Sequence, residues 1–234
     1  MGSGSSKKKR DDKPPQQKLD YVRLKAVLVG NTRSGKTAIF NRYITNQYSP
    51  YYEKTKKAIF GQKISLTTQP VTATFCLELW DTPSDVEDPS LLHVILSDAQ
   101  IIIICVDAMH EDVADNVKTW MENEIICHYV RENSARVAVL VTKCDLCPPN
   151  VAEVFTQSLD ELTAPDSQYP IALWCPVSAK EKINLEGSSD AVKQMCSIML
   201  FCYAEAKKEL DKVDVYDPNK GEMATLQEFF SRKG

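Results

Sequence analysis

The chain contains 234 residues, of which 43% are hydrophobic, and its formal net charge at pH 7 is −4. This length suits one domain with short tails, and the hydrophobic fraction is large enough for a core, which excludes a wholly disordered chain. Apolar runs such as residues 101–106 are far shorter than the roughly 20 residues that span a bilayer, so no transmembrane helix is expected.

The charge is unevenly distributed along the chain. Residues 1–18 hold six Lys or Arg residues against two Asp, a sum of +4, which leaves −8 for the remainder. A general nucleic-acid binder carries a basic surface on its folded part. We therefore expect no nucleic-acid partner.

The eight cysteines occur in a chain with no secretory signal. We interpret them as reduced core residues of a cytoplasmic protein, since most lie in apolar strand or helix patterns. Cys144 and Cys147 form a C-x-x-C pair, for which zinc binding or redox chemistry is the alternative. The absence of a second pair, or of a histidine at ligand spacing, argues against a metal site there.

The predicted N-terminal segment, residues 1–18, has the composition of a disordered basic tail. It also matches the pattern for N-myristoylation of Gly2, with Ser6 at the hydroxyl position. A single acyl chain binds membranes weakly, and the basic run at residues 7–10 would add attraction to anionic lipid. Residues 2–10 are thus a candidate membrane contact for a peripheral protein. The alternatives are chance composition or a remnant of expression cloning.

The predicted folded domain covers residues 19–211, and residues 212–234 form a C-terminal tail with a short amphipathic piece at 223–230. Strands alternate with helices in this domain, which predicts an α/β fold with a mostly parallel sheet of six strands covered by helices on both faces. The predicted strands are 22–29, 58–66, 72–80, 99–106, 136–142 and 171–177, and the predicted helices are 36–47, about 110–131, 151–162 and 189–211.

A phosphate-binding loop follows the first predicted strand. Its sequence is Gly30-Asn31-Thr32-Arg33-Ser34-Gly35-Lys36-Thr37, and Ala38 continues into the helix. The glycines allow the backbone to aim several N–H groups at one point, and the helix N-terminus adds its positive dipole end. Lys36 would reach the terminal phosphates, and the Thr37 hydroxyl would bind Mg²⁺.

Polar residues also follow three later strands, where a ligand binds in a parallel sheet. Asp81 can hold Mg²⁺ through water. Asp145, in the run Thr142-Lys143-Cys144-Asp145-Leu146, can accept hydrogen bonds from N1–H and the exocyclic amine of guanine, a pair that adenine lacks. The turn Ser178-Ala179-Lys180 offers backbone N–H groups to the guanine oxygen.

These motifs, in this order, resemble the Ras superfamily of small GTPases, most nearly its Rab-like members, across about residues 20–208. The resemblance implies a P-loop NTPase fold (a small G domain) that binds GTP or GDP with Mg²⁺. It implies that Thr55 closes on Mg²⁺ and the terminal phosphate, beside Thr37 and Asp81, and that Tyr48 packs against the base. It also implies effector and regulator surfaces at residues 48–57 and 82–98.

Three departures from the family pattern concern catalysis. Ser84 stands where the family has a glycine that permits a backbone flip. Asp85 stands where the family usually has a glutamine that orients the attacking water. Pro83 stiffens the same segment. Arg33 stands where many relatives have glycine, and we favour a surface role for it over that of an arginine finger. No catalytic residue is therefore assigned, with Arg33 and Asp85 the only candidates.

Three functions are compatible with these patterns. The first is a Mg-GTP/GDP switch with slow hydrolysis in membrane-associated trafficking or signalling. The second is a non-switching adaptor that stays GTP-bound or nucleotide-poor. A nucleotide kinase or ATPase is the third, and Asp145 and the turn at residues 178–180 argue against it.

Overall fold

The computed structural model describes residues 21–70, 72–84 and 89–210. The two predicted tails, Gly2 and Asp85 lie outside the described residues. The strands are β1 (Val22–Val29), β2 (Ile59–Thr67), β3 (Ala73–Asp81), β4 (Ile101–Asp107), β5 (Arg136–Thr142) and β6 (Ile171–Pro176). The helices are α1 (Lys36–Thr45), α2 (Pro89–Leu96), α3 (Val113–Met121), α4 (Glu124–Glu132), α5 (Pro149–Leu162) and α6 (Ala191–Leu210).

The strands form one sheet in the order β2-β3-β1-β4-β5-β6. All neighbouring pairs are parallel except β2 and β3, which form an antiparallel hairpin. The predicted α/β fold with a mostly parallel six-stranded sheet is confirmed. Because β1 lies between β3 and β4, the chain that leaves β1 emerges beside the carboxyl ends of both neighbours.

The side chains of β4 alternate between two hydrophobic cores. Ile101, Ile103 and Cys105 pack in the core that α1 and α6 cover, whereas Ile102 and Ile104 pack in the core that α2, α3, α4 and α5 cover. This arrangement explains the continuous apolar sequence of the strand, since a strand covered on both faces has no polar side. Helices on both faces of the sheet were predicted and are present.

The helix predicted over about 110–131 is instead two helices. Asn123 interrupts it, because its Oδ1 accepts hydrogen bonds from the N–H groups of Ile125 (3.1 Å) and Ile126 (3.3 Å) and so caps α4. The prediction missed α2 altogether.

The described part of the chain contains no helix that is both long and apolar enough to cross a membrane. All eight cysteines are free thiols, and Cys76, Cys105 and Cys196 are buried. Burial raises the pKa of the Cys105 thiol to about 12. The Cys105 thiol therefore stays protonated at neutral pH and acts as a small apolar residue.

Candidate functional site

The phosphate loop joins β1 to α1, and two of its residues are glycine for steric reasons. Gly30 has φ 142°, and a Cβ there would lie 2.3 Å from the carbonyl oxygen of Cys105. Gly35 has φ 85° at the N-cap of α1, where a Cβ would lie 3.1 Å from Oγ1 of Thr142. The loop therefore packs against the ends of both β4 and β5, so that a side chain is excluded at Gly30 and would be strained at Gly35.

Lys36 is almost fully buried, with 5% of its surface exposed. Its Nζ donates to the carbonyl oxygens of Gly30 (2.7 Å) and Asn31 (3.0 Å) and to Oγ of Ser84 (2.8 Å). A buried ammonium group needs such acceptors, because burial without them is costly. The lysine thus lies between the phosphate loop and the segment after β3.

The three predicted metal ligands converge on one point. Thr37 Oγ1 donates to Oδ2 of Asp81 (2.7 Å) and lies 2.7 Å from Oγ1 of Thr55, which is itself 3.4 Å from that Oδ2. Asp81 is fully buried, and its Oδ1 has no hydrogen-bond partner among the described residues. Burial raises the pKa of Asp81, while the Thr37 hydrogen bond and the charge of Lys36 act in the opposite direction.

This donor set fits Mg²⁺. Hydroxyl and carboxylate oxygens are the ligands that Mg²⁺ takes from proteins, usually with one or two protein groups and several waters. A cation at this corner would also give the orphan Oδ1 of Asp81 the charge compensation that buried carboxylates require. At the C-x-x-C pair, burial raises the pKa of the Cys144 thiol to about 11.

The segment after β5 carries the predicted base-recognition residues. Thr142 donates its hydroxyl to the carbonyl oxygen of Ser34 at 2.7 Å and so ties this segment to the phosphate loop. Lys143 has φ 58°, and its Nζ forms an ion pair with Oδ2 of Asp107 at 2.6 Å. Asp145 follows in a short 3₁₀ turn, residues 144–146.

The turn after β6 is held from two sides. The Ser178 side chain is buried, and its Oγ accepts from the N–H of Glu181 at 3.0 Å. Arg42, on α1, donates from Nε to the carbonyl oxygen of Ala179 (2.6 Å) and from Nη2 to that of Lys180 (3.4 Å). Arg42 was not among the predicted site residues, because the carbonyls that it binds in this turn lie more than 130 residues away in the chain.

The segment between α1 and β2 closes the site on its open side. Tyr48 is 37% exposed, and the Arg42 guanidinium lies 5.9 Å from its ring centroid. The Arg33 guanidinium lies 5.1 Å from the ring centroid of Tyr52, within the range of a cation–π contact. Arg33 adopts φ 63° at an exposed position. This contact bridges the phosphate loop and the segment that carries Thr55.

A side-chain network holds the phosphate loop to α3. Asn31 donates from Nδ2 to Oδ1 of Asn116 at 2.5 Å and accepts from Nε1 of Trp120 at 3.0 Å. Neither helix residue was predicted to be near the site.

These groups surround one cavity of about 650 Å³. Fifteen of the predicted residues line it: Arg33, Ser34, Gly35, Lys36, Thr37, Ala38, Tyr48, Thr55, Ser84, Thr142, Lys143, Asp145, Leu146, Ala179 and Lys180. Ile39, Asn41 and residues 49–53 line it as well, although they were not predicted to contact the ligand.

Five predicted residues are not among the lining residues. Gly30 and Asn31 accept from Lys36, and Asp81 contacts Thr37. Ser178 supports its turn from inside the fold, and Thr32 is exposed at the surface of the loop. The structure therefore brings most of the predicted residues around one cavity, while some of the others contact side chains that line it.

These features together define a P-loop nucleotide-binding domain. They are a loop from the first strand into the first helix, a buried lysine at the end of that loop, a corner of hydroxyl and carboxylate oxygens, and a carboxylate after β5.

Comparison with known proteins identifies the family. Residues 25–145, just over half of the chain, match the family described as Ras of Complex, Roc, domain of DAPkinase. The chain is 27% identical over 185 residues to Ras-related protein Rab-32C of Dictyostelium discoideum, covering 79% of this chain and 76% of the relative. It is 25% identical over 172 residues to the Ypt/Rab-type GTPase YPT7 of Saccharomyces cerevisiae, covering 72% and 79%. It is 26% identical over 206 residues to Ras-related protein Rab7 of Cenchrus ciliaris, covering 86% and 95%.

The chain therefore belongs to the Roc family of Ras-type GTPase domains, and within the Ras superfamily it is a Rab-like small GTPase.

Proposed function

We propose that this protein is a Mg²⁺-dependent switch that binds GTP and GDP and hydrolyses GTP slowly. The observation that carries the proposal is that Lys36, the corner formed by Thr37, Thr55 and Asp81, and Asp145 all belong to one site around a single cavity. A ligand that uses all three must carry terminal phosphates, a divalent cation and a purine base.

Different groups of the chain would bind different parts of the nucleotide. The backbone N–H groups of the loop at residues 30–37 cradle phosphate, and Lys36 neutralises the terminal charge. Thr37, Thr55 and Asp81 would hold Mg²⁺, which when bound offsets charge on the phosphate oxygens. Asp145 would accept from the N1–H and amine of guanine, which selects guanine over adenine.

We expect slow hydrolysis because the segment after β3 lacks the family's glutamine. Fast hydrolysis relies on a residue that orients the attacking water, and the family's glutamine is replaced by Asp85 here. The guanidinium of Arg33 lies over Tyr52, which favours a surface role for this residue. No other described residue is assigned to water activation, so we propose a rate set by binding and electrostatics alone.

Rab-like GTPases generally bind effectors and regulators, and we propose that residues 48–57 and 82–98 carry these contacts in this chain. Tyr51 is 82% exposed, and Leu91 and Val94 of α2 are exposed apolar side chains. Val94→Asp would place a charge on this surface. Protein–protein capture with the GTP-loaded protein should then retain fewer partners than the wild type, and equal capture would argue against this surface.

Membrane association in trafficking is proposed from the sequence of residues 2–10 and from the Rab relatives. Gly2→Ala removes the acylation site, so fractionation of cells should move the protein from the membrane to the cytoplasmic fraction. An unchanged distribution would exclude acylation as the anchor.

A non-switching adaptor is the second candidate function. The observation that favours it is the hydrogen bond from Lys36 to Ser84, next to the buried Pro83, because both residues restrict the segment that would move in a switch.

One experiment separates the two candidates. The purified, untreated protein is denatured, and the released nucleotide is identified by chromatography. GDP would support a working switch that hydrolyses GTP. GTP would support the adaptor, whereas an adenine nucleotide would contradict the assignment of Asp145 and both functions with it.

A further inference from the structure

Strand β2 forms one edge of the sheet, and its two faces are covered to different extents. On one face, Thr67 is buried and its Oγ1 lies 2.8 Å from Oγ of Ser197 on α6. Side chains alternate along a strand, so Ile64 and Leu66 point to the opposite face, where each is 53% exposed. Phe60 lies further along that face and is also exposed. The edge strand therefore presents a row of apolar side chains to solvent.

We refer to Ile64 and Leu66 as the β2 patch. On β3, Cys76 pairs with Ile64 and Thr74 pairs with Leu66, so the same face continues onto the next strand. Single exposed apolar residues are ordinary, but an edge strand with an apolar row can pair with other chains. Proteins commonly cover such a strand with a helix or a loop. A cover over the β2 patch would therefore be favourable.

Helix α6 carries the chain toward the end of the sheet where this patch lies. Asp190, directly before α6, is close enough to Lys63 of β2 for an electrostatic interaction, and Ser197 contacts Thr67. The helix therefore runs in the same direction as β2. Leu210 follows Ser197 by thirteen residues, which places it about 20 Å further along at 1.5 Å per residue. The end of α6 thus extends past the end of β2.

The chain beyond α6 is long enough to return to the β2 patch. Twenty-four residues follow Leu210, and twelve of them precede Met223. Twelve extended residues span about 40 Å. This span exceeds the distance of about 20 Å from the end of α6 back to the end of β2. A segment that begins at Met223 can therefore reach either face of the strand.

The amphipathic piece at residues 223–230 has side chains suited to this patch. Met223, Leu226 and Phe230 have the spacing i, i+3 and i+7, which places them on one face of a helix, with Phe229 beside them. Eight helical residues are about 12 Å long. The two patch residues are only about 7 Å apart along the strand. One short helix is therefore long enough to cover the patch.

We propose that residues 223–230 bind to the β2 patch of the same chain and cover the edge strand. A tethered segment binds at an effective concentration on the order of millimolar, which favours it over a second copy of the chain. Because β2 is antiparallel to β3, the patch lies at the end of the sheet opposite Asp81. The inference is therefore independent of the proposed nucleotide function.

Photochemical cross-linking of the full chain tests the inference. Benzoylphenylalanine is incorporated in place of Phe230, and mass spectrometry identifies the residue to which it bonds after irradiation. We expect a cross-link within one chain, to residues 63–67. Ile64→Thr combined with Leu66→Thr keeps β-branched side chains in the strand but removes apolar area, and should lower the cross-link yield about tenfold. Val154→Thr, at an exposed position of α5, is the matched control and should leave the yield unchanged.

A second variant keeps the test valid if the double substitution lowers the melting temperature of the domain. Leu226→Ser, in the chain that carries the probe, changes the segment rather than the strand. We expect it to lower the yield of the same cross-link by a similar factor.

Four outcomes overturn the inference. A cross-link between two chains means that the segment binds a second copy. A cross-link to another part of the domain means that the segment packs elsewhere. A yield that neither the double substitution nor Leu226→Ser lowers means that the apolar contact with the β2 patch is not what holds the segment. The absence of any cross-link means that residues 223–230 do not bind the domain.

Discussion

The two ends of the site are held together differently. At the phosphate end, the groups that would face the ligand bond to one another, as Lys36 does to Ser84 and Thr37 does to Asp81. At the base end, the support comes from behind, since Arg42 bonds the carbonyl of Ala179. A ligand must therefore exchange partners at the phosphate end, whereas it meets a preformed surface at the base end. Binding at the phosphate end therefore depends mainly on charge. Binding at the base end depends mainly on how the turn after β6 is positioned.

Removal of the lysine should have the largest effect. Lys36→Ala leaves two loop carbonyls and the ligand's phosphates without their buried cation, which costs about a hundredfold in affinity for GDP and GTP. Calorimetry measures this loss, and Lys193→Ala on α6 is the control. Unchanged affinity would show that the phosphate end does not depend on charge.

A change at Asp145 should be smaller and should alter specificity. Asp145→Asn replaces an acceptor by a group that also donates, so guanine nucleotides should bind about tenfold more weakly while xanthine nucleotides gain. Competition between GDP and XDP measures the shift, with Asp166→Asn in the exposed loop before β6 as the control. Equal losses for both bases would contradict the proposed base contact.

Arg42 tests whether the base end depends on positioning. Arg42→Ala removes hydrogen bonds to the carbonyls of Ala179 and Lys180, and we expect about fivefold weaker binding, equal for GDP and a triphosphate analogue. Arg42→Lys keeps the charge without the planar fork and should restore little. A loss of affinity that differs between GDP and the triphosphate analogue would contradict the proposal that Arg42 acts only by positioning the base end of the site.

The contact of Arg33 with Tyr52 should contribute least. An exposed cation–π pair is worth about 0.5–1 kcal/mol, so Arg33→Gln should speed nucleotide dissociation about two- to fivefold. Tyr52→Phe keeps the ring and should dissociate like the wild type. The double variant Arg33→Gln with Tyr52→Leu should be no faster than either single variant, and additive effects would show that the two side chains act independently.

The sequence predicted those parts of the site that local backbone geometry determines. Gly30 and Gly35 are required where a Cβ would meet the ends of β4 and β5. Asp81 and Asp145 follow apolar strands, and parallel strands bring their carboxyl ends to one edge. Each prediction thus rested on a pattern within a short stretch of chain.

Features that arise from distant contacts were not predictable in this way. Arg42 looks like any exposed residue of α1 until the turn after β6 packs against it. The sequence showed that Ser84 replaces the family's glycine, but the bond between its hydroxyl and Lys36 spans 48 residues. Within the predicted helix at 110–131, the cap at Asn123 was missed because the apolar period continues on both sides.

The hydroxyl of Thr142 has a thermodynamic consequence for the whole site. It joins the segment that carries Asp145 to the carbonyl of Ser34 in the phosphate loop. A ligand fragment that repositions the phosphate loop therefore also acts on the segment that carries Asp145, and such coupling is reciprocal. Guanosine and pyrophosphate, added together as separate molecules, should therefore bind cooperatively, each as an effector of the other.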